Sequence, residues 1–100
     1  MKQIPQETFL KINLILEKYL SNEHQVIFFG SYINATPHQN SDIDIAIKGP
    51  DKLDPSLWAK MEDEFEQSDI LHKIDIVDYN RVTPEFQKII NETGMEYRKS

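Results

Sequence analysis

Residues 42–48 read Asp-Ile-Asp-Ile-Ala-Ile-Lys, and no other stretch restricts the fold as tightly. An apolar β-branched residue at every second position is the signature of a half-buried β-strand. Pleat parity then puts Ile43, Ile45 and Ile47 on one face and Asp42, Asp44, Ala46 and Lys48 on the other. The fold must therefore cover the isoleucine face and leave open a face that carries two aspartates.

The neighbouring segments supply partners for that strand. Gln25 to Phe29 is a short apolar run closed by Gly30, and its length predicts a buried strand. Lys73 to Tyr79 alternates again, with Ile74 and Ile76 on one side and Asp75 and Val77 on the other. Residues 6–20 carry Phe9, Ile12, Leu16 and Tyr19 at helical spacing after Pro5, which predicts an amphipathic helix. Asp54-Pro55 is an N-cap followed by proline at the first helical position, with Leu53 and Trp58 placed as a hydrophobic staple. It opens a helix to about Gln67 whose inward stripe is Trp58, Met61 and Phe65. Thr83-Pro84 repeats that start for a last helix with Phe86, Ile89 and Ile90 on its face, stopped by Gly94. Between the first two strands, a turn through Tyr32 and Ile33 and a polar loop around Pro37 are expected. The predicted order is helix, strand, turn, strand, helix, strand, helix.

A chain of 100 residues, evenly supplied with aromatics and free of low-complexity runs, is read as a single domain, residues 1–100. Its formal charge of -6 argues against an extended nucleic-acid surface, which needs clustered Lys and Arg. Cysteine is absent, so disulfides and thiolate metal sites are excluded, which fits a cytoplasmic protein. The N-terminus lacks the pattern of a signal peptide, and no segment reaches membrane-spanning length.

If the second and third strands are neighbours, Asp42, Asp44 and Asp75 share the open face. The α-carbons of Asp42 and Asp44 would lie roughly 6.5 Å apart, close enough for both carboxylates to meet one cation. Crowded carboxylates repel, and an all-oxygen set suits Mg²⁺ or Mn²⁺ rather than zinc. Upstream, Gly30 lets a phosphate approach the backbone and Ser31 adds a hydroxyl donor. Phosphate donors before the acids and metal-binding groups after them point to a nucleoside-triphosphate site.

Gly30-Ser31, nine intervening residues and then Ser41-Asp42-Ile43-Asp44-Ile45 resembles the signature of the DNA-polymerase-β-like nucleotidyltransferases, in their minimal (MNT) branch. The resemblance covers nearly the whole chain. It implies an α/β (α+β) fold with a small mixed sheet and helices on one face, like the polymerase-β palm. The implied activity is transfer of AMP from ATP to an acceptor hydroxyl. Asp42, Asp44 and Asp75 would be the catalytic and metal-holding acids, with Asp75 also helping to deprotonate the acceptor. Gly30, Ser31 and Ser41 would be the nucleotide-binding residues, Gly30 and Ser31 holding the β- and γ-phosphates, while Ser41 also reads as a residue that shapes the turn into the second strand. Minimal members of this group resemble antitoxins paired with HEPN-domain toxins, so the implied acceptor is a tyrosine of such a partner.

The sequence departs from that pattern at Tyr32 and Asn34, where arginines are common, and at Ala35, where glycine is. Arginines there would supply charge-assisted contacts to a triphosphate. Their absence keeps a second expectation open, an antitoxin-like module that neutralises its partner by contact. Lys48 is too far along the strand, roughly 13 Å from Asp44, to replace them. His24, His38 and His72 fall on different elements and are read as surface or loop residues, and Asp78 as a strand-end residue rather than a ligand.

Overall fold

A computed structural model describes residues 4–29 and 42–98, with side chains through residue 94. The described elements are α1 (Gln6–Glu17), β1 (Gln25–Phe29), β2 (Ile43–Lys48), α2 (Pro55–Gln67), β3 (Ile74–Asp78), α3 (Pro84–Thr93) and β4 (Met95–Arg98). The four strands form one sheet in the order β3-β2-β1-β4. β1 runs antiparallel to both β2 and β4, and β2 and β3 are parallel, so the sheet is mixed as expected.

Parity decides the layers. Ile43, Ile45 and Ile47 are buried with Val26, Phe28 and Ile76 beneath Ile12, Ile15 and Leu16 of α1 and Met61 and Phe65 of α2. Burying an aliphatic or aromatic side chain of this size contributes about 1.5–3 kcal/mol. This stack is what fixes β2 with its isoleucines inward, because a one-residue slip would turn them all to solvent. Leu53 is buried and Trp58 packs against the same cluster, which bears out the staple at the start of α2. Asp54 accepts a hydrogen bond from the Ser56 N–H at 2.8 Å, and Thr83 accepts one from Phe86 at 3.2 Å, so both predicted caps form.

Helices on one face describes α1 and α2; α3 lies elsewhere. Its Ile90 is buried with Phe29, Ala46 and Tyr79, a second, smaller cluster on the face that carries the acids. Ala46 is the reason: a small residue midway along β2 leaves room there for a helix, whereas Asp44 two residues earlier does not invite one. The acid face is thus half covered, apolar toward Ala46 and polar toward Asp44.

β4 was not expected from the sequence. It is four residues long with two charges, and Gly94 reads as a stop. Gly94 does end α3, donating to the Ile90 carbonyl at 2.8 Å. Its φ of -85° needs no glycine; the requirement is space, since a Cβ there would lie 2.4 Å from Ile27 Cγ2. The chain therefore passes close over β1 and turns directly into an edge strand beside it.

Candidate active site

The parallel register sets Asp44 directly beside Asp75, and the antiparallel register sets Phe29 beside Asp44 on the other side. Across three strands the row reads Phe29, Asp44, Asp75, with adjacent strands roughly 4.8 Å apart. Asp42 precedes β2 by one residue and shares the side of Asp44. The structure thus brings together Asp42, Asp44 and Asp75 at one end of the sheet. Gly30, Ser31, Tyr32, Asn34, His38 and Ser41 lie outside the described residues.

The electrostatics follow from this crowding. Burial pushes the Asp44 carboxyl up to about 6, and the neighbouring charges of Asp75 and Asp42 push the same way. Asp75 is also raised, first by burial; the charge of Asp42 and a hydrogen bond with it add to that, while Lys73 opposes it. Lys73 Nζ stands 3.8 Å from Asp75 Oδ1, an exposed pair of small energetic weight. Its place beside the acids was legible in principle, since residues two apart on a strand share a face.

Among the described residues no three His, Cys, Asp or Glu side chains already form a compact metal cage. The acids are instead a row of oxygen donors whose mutual repulsion a divalent cation would relieve, and in that chemical sense they fit a hard cation such as Mg²⁺ or Mn²⁺. Such sites usually take only part of the coordination of Mg²⁺ from protein, with substrate phosphates completing it.

Other charged groups are occupied elsewhere. Asp78, on the opposite face of β3, is 1% exposed and accepts from the Leu53 N–H at 2.8 Å, the Asn80 N–H at 3.0 Å and Arg81 Nε at 3.1 Å. Its role is to tie the start of α2 to the exit of β3. Lys48 lies 4.8 Å over the Tyr79 ring, far from the acids. His24 accepts at Nδ1 from the Ser21 N–H, a local turn contact. A cleft of about 630 Å³ beside Asp75, bounded by the end of α2 and the segment entering β3, is a feature that no sequence motif announced.

A small mixed sheet with a carboxylate row across two parallel strands defines a class, and the family comparison agrees. The chain belongs to the polymerase beta nucleotidyltransferase family, whose model matches residues 11–96, and its class of activity is nucleotidyl transfer. Among individual proteins, it is 27% identical over 89 residues to the probable protein adenylyltransferase MntA of Haemophilus influenzae, spanning 89% of this chain and 77% of that protein. Among solved structures, it resembles a chain of a toxin-antitoxin complex with AMP-PNP, with a TM-score of 0.76 and 24% identity over 97% of this chain and 75% of that one. A second resemblance is to a complex of a tri-AMPylated Shewanella oneidensis HEPN toxin with its MNT antitoxin, with a TM-score of 0.74 and 22% identity over 97% of this chain and 74% of that one. Among the described residues no helix is long and apolar enough to cross a membrane.

Proposed function

We propose that this protein is a metal-dependent protein adenylyltransferase that moves AMP from ATP to a tyrosine hydroxyl of a HEPN-domain toxin and so acts as the antitoxin of a cytoplasmic toxin-antitoxin pair. The observation that carries this reading is the side-by-side register of Asp44 and Asp75, with Asp42 adjoining, at one end of the sheet. The likeness to MntA proteins and to MNT–HEPN complexes supports the choice of acceptor.

Asp42, Asp44 and Asp75 would hold Mg²⁺ or Mn²⁺. When bound, the metal supplies neutralising charge to the phosphates and polarises the reacting oxygens. Gly30 and Ser31 would hold the β- and γ-phosphates through backbone and hydroxyl donors, with Ser41 shaping the approach to Asp42. The acceptor oxygen attacks the α-phosphorus, the bond from that phosphorus to the bridging oxygen breaks, and pyrophosphate leaves. The acceptor proton would pass to Asp75, the carboxylate on the outermost strand of the row. Asp44 remains the central charge of the row.

Tyr32 and Asn34, standing where arginines are common, favour the alternative of an antitoxin that neutralises by contact alone. One experiment separates the two. The protein is incubated with ATP, Mg²⁺ and the product of the adjacent gene, and the partner is analysed by mass spectrometry. Addition of AMP to a tyrosine, lost in an Asp42→Asn, Asp44→Asn variant, is the expected result. A tight complex with an unmodified partner sinks the enzymatic reading.

A further inference from the structure

β3 is an edge strand: the sheet order ends with it, and among the described residues nothing pairs with its outer side. Lys73 and Tyr79 bond inward to β2 through Ile43 and Ile47, so the odd-numbered residues face the ladder and the backbone groups of Ile74 and Ile76 face outward. Such an edge is a template for an added strand unless something blunts it. Alongside it lies the cleft of about 630 Å³, a volume within the ordinary range for ligand sites. The cleft lies on the helix side of this edge and Asp75 borders it where the strand passes to the acid face, so a strand added along the edge would place alternate side chains in the cleft and beside the acid row.

The lining has a defined chemistry. Phe65, Ile70 and Leu71 contribute its apolar part, with Leu71, 97% exposed, standing at the rim. Glu62, Glu66 and Asp75 set three carboxylates against Lys73. We propose that the cleft along the outer edge of β3 is the docking groove for the acceptor-bearing segment of the partner protein. That segment binds extended, as a strand added to β3, with an apolar side chain on Leu71 and a basic residue near Glu62 and Glu66, delivering its aryl hydroxyl to Asp75. The proposal rests on the adenylyltransferase reading and adds to it where the acceptor binds and which flanking residues it carries. The commitment to a basic segment follows from the charge of the lining, and the commitment to an extended one from the unpaired edge.

The test uses the full chain, ATP, Mg²⁺ and two kinds of acceptor: the adjacent-gene protein, and a pair of synthetic peptides with one tyrosine flanked by lysines or by glutamates. Leu71→Asp is expected to raise KM for the adjacent-gene protein by about tenfold, with KM for ATP unchanged within about twofold. The lysine-flanked peptide is expected to outperform the glutamate-flanked one, and Glu62→Lys with Glu66→Lys is expected to invert that preference. Methylating alternate backbone amides of the better peptide is expected to abolish its labelling. Unchanged KM in Leu71→Asp and an unchanged preference in the charge-reversed variant overturn the groove while leaving the adenylyltransferase reading standing. A labelled protein beside two unlabelled peptides overturns the extended-segment form. A wild-type protein that binds ATP and labels neither acceptor overturns the groove together with the function on which it rests.

Discussion

Strand β3 carries two aspartates three residues apart, and their surroundings are opposite in kind. Asp78 is buried, yet each of its oxygens meets a donor, two backbone N–H groups and the Arg81 guanidinium among them. Asp75 sits at the other end, beside Asp44 and Asp42, with the exposed Lys73 ammonium 3.8 Å away only partly offsetting burial and the crowding of carboxylates. A buried charge surrounded by donors holds a fold together. A cluster of like charges without them costs stability, and such a cost persists where the charges have another use. The difference separates an end of the sheet held together by its aspartate from the end to which we assign the chemistry.

The sharpest way to break that contrast is to neutralise the acid row. Asp42→Asn with Asp44→Asn is expected to lower AMP transfer by at least about a thousandfold, while circular dichroism stays native, because loss of charge from such a centre removes the groups that stabilise the transition state. Retained transfer would make the row an ordinary solvated edge. At the other end, Asp78→Ala is expected to destabilise the protein by about 3 kcal/mol in urea unfolding, since it leaves the Leu53 N–H without its buried acceptor and removes the carboxylate partner of the part-exposed Arg81 guanidinium. A loss below about 1 kcal/mol would remove the distinction from that side.

Asp44 is raised above its ordinary 3.8 to about 6 in the folded protein, so folding favours its protonated form. Its contribution is neutral below the unfolded value and becomes increasingly unfavourable as pH rises through that window. In metal-free buffer at pH 7, Asp44→Asn is therefore expected to be more stable than the wild type by about 1–2 kcal/mol, a figure discounted for solvent screening. The gain should vanish at pH 3.5 or below. A smaller effect belongs to the architectural end, where Thr83→Ala removes the cap of α3 and should cost about 0.5–1 kcal/mol in the same assay.

Much of this was legible in the sequence because parity is a strong constraint. Isoleucines alternating with aspartates fix which side of β2 is inward, and the same alternation in β3 brings Asp75 to the same side; only the strand pairing was left to the fold. The Asp-Pro and Thr-Pro helix starts were equally plain, since a cap followed by proline leaves few alternatives. What escaped detection depends on three-dimensional proximity. β4 has too few residues and too little alternation to declare itself, and it forms because Gly94 lets the chain pass over Ile27. α3 settles on the acid face because Ala46 leaves room, a packing fact invisible in one strand alone. Asp78 was legible as outside the site, but not as the knot joining α2 to β3, because its donors come from residues as distant as Leu53. The cleft at Leu71 is shaped by the end of α2 against the edge of β3, and no local pattern encodes it.

The central claim, that the row of Asp42, Asp44 and Asp75 is a metal and nucleotide centre, is tested most directly by thermal unfolding at pH 7 with increasing Mn²⁺ and a non-hydrolysable ATP analogue. The account predicts that Tm of the wild type rises with ligand, as linkage requires for anything that binds the folded state, and that Asp44→Asn starts higher and stays flat. A wild type indifferent to both ligands, or an Asp44→Asn variant that rises in parallel with it, would contradict the account.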